Sequence, residues 1–117
     1  MYYAVWNDRT GERLGVQIDV ARSFWARLFG LAGRRYLPMG TGLFLPGCSS
    51  VHTHFMRVPL DLIYLDASGR VLAVRRRVMP WRAPGRVPGT VDLLELPSGC
   101  AGMARVGDRL HRAPLSK

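Results

Sequence analysis

Cys48, His52 and His54 fall within seven residues of one another in the stretch Cys-Ser-Ser-Val-His-Thr-His. Thiolate and imidazole are the soft and borderline donors that hold zinc, and a tetrahedral site takes three or four of them. In an extended strand the three positions share a face, and Asp61 or Cys100 could supply a fourth ligand. The spacing is neither CxxC nor HxxxH. The structural alternative has Cys48 as a small buried apolar residue and His52 bonded to backbone. Cys48 with His52 also forms a nucleophile-and-base pair for thiol chemistry, although no third group that would orient the base is visible. Asp61 follows a strand-initiating proline and points inward. A buried carboxylate must be paired, and Arg57 is its nearest basic partner in sequence, which predicts an ion pair at the start of that strand or, failing that, a ligand contact. Arg75, Arg76 and Arg77, followed by Trp81, Arg82 and Arg86, form the densest basic cluster. Phosphate contact with aromatic stacking is how single-stranded nucleic acid is held, but charges on an edge strand also serve to discourage aggregation.

Composition bounds these options. The 117 residues carry Lys+Arg 17 against Asp+Glu 8, a formal charge of +9, and all but one of the basic residues are arginine. Such a balance favours anionic partners, whether nucleic acid, a membrane surface or an acidic protein. Hydrophobic content of 48% and charged content of 21% are globular values, and the length suits one domain, 1–117. No run is long enough to span a bilayer. The first residues, Met-Tyr-Tyr-Ala-Val-Trp-Asn, do not resemble a secretory leader. A cytoplasmic location is therefore expected, with Cys48 and Cys100 reduced.

The elements that must position these groups are mostly strands. Residues 2–6 are aromatic and β-branched. Leu14, Val16, Ile18 and Val20 alternate with Gly15, Gln17 and Asp19, a half-buried strand paired with the first across Asn7–Gly11. Ser23 caps a helix in which Phe24 and Leu28, and Trp25 and Phe29, share a face, closing at Gly30 or Gly33. Short strands follow at 42–45 and 50–53. The run 60–66 is apolar on both faces and reads as a central strand, turning at Ala67-Ser68-Gly69 into a strand at 71–78. Three prolines and two glycines make 79–89 an exposed loop. Strands at 91–96, 100–106 and 109–112 complete the chain, and 113–117 should fray. The fold class expected is α+β, mostly antiparallel, a small partly closed β-barrel with one or two short helices.

From Leu14 to Arg112 this order resembles the DUF192 family. The resemblance rests on the Ser23 cap with Gly30-Leu31, the Gly42–Leu45 strand, Phe55-Met56-Arg57, Pro59-Leu60-Asp61, the Leu94–Gly99 segment and the Gly107-Asp108 turn. Cys48 to Thr53 is similar to a Cys-x-Ser-Val-His-Thr branch whose members accompany bacterial secretion and pilus-assembly systems. The resemblance implies no settled activity and no cofactor, and many relatives carry an export leader.

These readings converge on a non-enzymatic accessory domain that binds a ligand or partner protein. The alternatives are a metal-binding or thiol-dependent enzyme using Cys48, His52 and His54, and nucleic-acid binding through the Arg75–Arg86 region. Following the hairpin from its turn at 67–69 puts Arg57 and Val78 at the far end. The 79–89 loop should leave from there, and a shallow pocket for an anionic ligand is expected among His52, His54, Met56, Arg57, Asp61, Trp81 and Arg82.

Overall fold

In the computed structural model, residues 2–21, 36–51, 53 and 56–115 are described. Among the described residues seven strands follow in chain order: β1 (Tyr2–Asn7), β2 (Arg13–Val20), β3 (Thr41–Leu45), β4 (Leu60–Leu65), β5 (Val71–Val78), β6 (Asp92–Pro97) and β7 (Leu110–Pro114). They form a single sheet in the order β5-β4-β6-β3-β2-β1-β7. All neighbours are antiparallel except β2 and β3, which run parallel with Ile18 opposite Gly42. A parallel pair requires a crossover connection, and it runs through residues 21–40. The helix expected from Ser23 to Gly30 lies outside the described residues.

The α+β barrel expectation is corrected on two points. Among the described residues the fold is all-β, with no helix. The sheet is open, and its two edge strands meet only at one corner, through the isolated bridge between Arg70 and Arg109. A barrel would need β5 and β7 to pair along their length. Instead, the chain beyond β5 folds back over that strand's own sheet face, where an Arg75 N–H donates to the Pro84 carbonyl. Two of the expected strands are also absent. Val51 and Thr53 lie in irregular chain, and residues 99–103 form turns, with Gly99 at φ 90° and Gly102 at φ 56°.

Alternation along the strands builds two apolar layers. Val5, Ile18, Phe44, Ile63, Leu65, Leu94 and Leu96 pack together on one face, and Leu43, Leu45, Leu60, Leu62, Tyr64 and Leu93 on the other. β4 and β6 contribute to both, and all six residues of β4 are buried. Each such side chain contributes about 1.5–3 kcal/mol by leaving water. Gly42 allows β3 to approach β6 closely, because a Cβ there would sit 2.6 Å from the Glu95 carbonyl oxygen.

Candidate functional site

Thr53 fastens the 79–82 segment. Its side chain is buried. Its N–H donates to the Arg82 carbonyl at 2.8 Å, and its carbonyl accepts the Trp81 N–H at 3.0 Å. Its hydroxyl lies 2.7 Å from the Met79 carbonyl oxygen and accepts the Arg82 N–H at 2.8 Å. A buried hydroxyl needs such partners, and this one finds both a donor and an acceptor in the loop. The loop backbone is thereby held with Trp81 at φ 63°, a left-handed conformation that non-glycine residues seldom adopt. The Trp81 side chain is 58% exposed. Arg82, the next residue, and Arg57, one past the Met56 whose N–H donates to the Thr53 carbonyl at 3.1 Å, are exposed, and among the described residues no carboxylate pairs with either guanidinium. Further along the loop, an Arg86 N–H donates to the Ser49 hydroxyl at 3.1 Å.

The other expected site residues are distributed differently. His52 and His54, on either side of Thr53, lie outside the described residues. Met56 is buried in the second apolar layer with Leu60 and Leu62. Asp61 is 1% exposed, and its partners are backbone amides rather than Arg57. One oxygen accepts the Arg77 N–H at 2.9 Å; the other accepts those of Gly99 and Ala101, each at 3.0 Å. The expected Arg57–Asp61 ion pair is replaced by this arrangement, for a local reason. Between the pairs Leu60–Val78 and Leu62–Arg75 the register shifts, so Arg76 and Arg77 together oppose Asp61. A bulge leaves an amide unpaired in the ladder, and Asp61 takes it up.

The Cys48 thiol donates to the Ser50 carbonyl at 3.1 Å, and neither Cys48 nor Cys100 is in a disulfide. Among the described residues no group of three His, Cys, Asp or Glu side chains could hold a metal ion. The arginine run is divided between structural contacts. Arg75 lies 5.0 Å from the Tyr64 ring centroid and bonds Pro84, while an Arg76 N–H donates to the Ala104 carbonyl at 2.8 Å.

Three features were given no functional role in the sequence. Asp108 accepts from Arg9 Nε at 2.6 Å, Asn7 Nδ2 at 2.8 Å and the Arg105 N–H at 3.0 Å. The Arg9 guanidinium holds its carboxyl well below the usual carboxylate range. Glu95, in the middle of β6, faces Leu43 and Leu62, and burial lifts its carboxyl to about 7. Leu93, two residues before it on the same face, lies in the second apolar layer, and that spacing is the signal that could have placed Glu95 inside. The third is a cavity of about 310 Å³ at the Gly69 end of the sheet, rimmed by Arg109 and Arg112.

No helix among the described residues is long and apolar enough to cross a membrane. The DUF192 family profile, described as an uncharacterized ACR, matches residues 5–111. A search of curated proteins finds no match. Two solved structures are similar. One is a "putative transcription regulator" from Sinorhizobium meliloti, with TM-score 0.77 and 18% identity, covering 94% of this chain and 91% of that one. The other is a protein of unknown function from Novosphingobium aromaticivorans, with TM-score 0.75 and 23% identity, covering 92% and 83%. At these identities the likeness is one of fold. The profile runs through β1 to the start of β7 and includes the Thr53 corner, and the protein belongs to the DUF192 family.

Proposed function

We propose that this protein is a non-enzymatic binding domain that holds an anionic segment of a partner protein at the Thr53–Trp81 corner. The supporting observation is the latched loop. Backbone strain persists where surrounding contacts over-determine it, and it concentrates at binding sites. Here the strain presents a large exposed aromatic, Trp81 at φ 63°, on backbone fastened to Thr53, and the exposed Arg82 and Arg57 lie on the chain adjoining that fastening. Aromatic and arginine side chains are those that carry binding energy at protein interfaces. The division of Arg75 and Arg76 between structural contacts weighs against a phosphate ladder along β5.

The test is fluorescence anisotropy with a fluorescein-labelled hexaglutamate peptide at two salt concentrations. Arg57→Ala with Arg82→Ala should weaken binding at least tenfold. Trp81→Ala should weaken it several-fold. The charge-matched pair Arg13→Ala with Arg105→Ala should leave it within a factor of two. Equal weakening by both pairs would mean that net charge alone attracts the peptide, and the reading would fall.

A further inference from the structure

The cavity at the Gly69 end lies at the opposite end of β4 from the Thr53 corner, and on the opposite face of the sheet. Its floor is Val5, Phe44, Leu65, Leu94 and Leu110, all members of the first apolar layer. It exists because the sheet stops short of closing. The edge strands meet at the Arg70–Arg109 bridge, where the Leu110 N–H donates to Gly69 at 2.9 Å. Past that point β7 follows β1, pairing Val5 with Arg112, and the 67–69 turn stays with β4. The gap between them opens onto the core.

One side of the mouth is a fixed cation. The Arg112 guanidinium carbon lies 4.1 Å from the Phe44 ring centroid and 5.2 Å from that of Tyr3. Two rings orient the plane and restrain the side chain. Among the described residues no carboxylate or carbonyl takes its N–H groups, and none takes those of Arg109 on the rim. The acids nearby are engaged elsewhere. An Asp92 oxygen accepts the Gly47 N–H at 3.0 Å, and Asp8 lies 2.6 Å from His111 Nε2. The planar fork of arginine matches a carboxylate, and an apolar floor of this extent suits a hydrocarbon body rather than a bare ion. At about 310 Å³ the cavity falls at the small end of ligand sites, which run from roughly 300 to 1,000 Å³.

We infer that this cavity is a second binding site, which takes a small amphipathic carboxylate with its head on Arg112 and its apolar body on the Phe44–Leu94 floor. It is independent of the Thr53 corner.

The experiment is amide chemical-shift mapping of the full chain titrated with sodium octanoate below its micelle concentration. Inorganic phosphate and 1-octanol serve as parallel arms. Octanoate should shift the amides of Phe44, Ser68, Leu110 and Arg112, and leave those of Trp81 and Arg82 in place. Phosphate and octanol, each offering half of the chemistry, should bind at least tenfold more weakly. Arg112→Ala should lose at least tenfold in octanoate affinity, and Arg112→Gln provides the same comparison should the alanine variant fold poorly. The inference is overturned if octanoate leaves those amides unmoved at millimolar concentration, or if phosphate alone matches it. Affinity unchanged in the Arg112 variants would overturn it equally.

Discussion

Asp61 and Glu95 sit on neighbouring central strands, 1% and 7% exposed, and they have been treated very differently by the fold. Asp61 looks into the first apolar layer and meets three backbone N–H groups. Glu95 looks into the second, between Leu43 and Leu62, and among the described residues no donor reaches its carboxyl. Burial depth therefore does not decide whether a carboxyl finds hydrogen-bond partners; the supply of unpaired amides does. Asp61 has them because a bulge at Arg77 and a glycine-rich turn at 97–102 release N–H groups beside it. Glu95 lies where the β3 and β4 ladders consume every neighbouring amide.

The contrast breaks most sharply at Asp61. Replacing it by alanine strands three donors, one in a buried and two in part-buried bonds, at roughly 1–3 kcal/mol each, so Asp61→Ala should cost about 3 kcal/mol or more in urea unfolding. A loss below about 1 kcal/mol would mean that the turn and bulge find other partners.

Glu95 should behave in the opposite sense. Its folded carboxyl stands at about 7, against an ordinary 4.5. Between those values the native state keeps a proton that the unfolded chain has released. Stability from this group is thus complete below about pH 4.5 and falls as pH rises, by about 3 kcal/mol once the carboxyl is ionised above pH 7. Glu95→Gln should remove that slope and make the protein more stable than wild type at pH 7.5. Parallel pH–stability curves for the two proteins would refute the assignment.

Thr53 offers an intermediate case, a neutral buried group with both a donor and an acceptor supplied. Thr53→Val should cost about 1–2 kcal/mol and speed amide hydrogen exchange at Trp81 and Arg82, whereas Thr53→Ser should retain their protection. Exchange unchanged in the valine variant would show that the loop holds its place without the hydroxyl.

The smallest effect is expected at the bulge itself. Arg77 has φ 51°, which glycine adopts without steric penalty. Arg77→Gly should leave stability unchanged or raise it by about 0.5 kcal/mol, since the amide that Asp61 accepts is retained. A drop above about 1 kcal/mol would show that the guanidinium matters to the fold.

Much of this arrangement was legible in the residues. Period-two alternation located β2, the two-sided apolar run from Leu60 to Leu65 marked β4 as a central strand, and the hairpin signal after it located β5. The hairpin turn at 67–69 then fixed which end the 79–89 loop must leave from. Trp81 and Arg82 do bond to Thr53 at that end, while the pocket also calls on His52 and His54, outside the described residues. The partners of Asp61 could not be read. They are main-chain groups that any sequence carries, made available by a register shift and by a turn whose amides lie 38 and 40 positions downstream. The cavity escaped notice for a similar reason, since it depends on two edges that approach and then diverge. The barrel expectation treated edge protection as closure, whereas here the corner bridge and the folded-back loop cover the edges without a continuous ladder.

The position of β6 has a kinetic consequence. β3 and β4 are consecutive in the chain, yet each pairs with β6 rather than with the other. Until residues 92–97 leave the ribosome, the three N-terminal strands and the β4–β5 hairpin are two separate pieces, each with an open apolar edge waiting for the same strand. Joining them means closing both long loops in one event, a non-local step of the kind that slows folding and exposes sticky intermediates. The late arrival of one six-residue strand therefore sets the interval during which the nascent chain is most vulnerable to pairing with a neighbour.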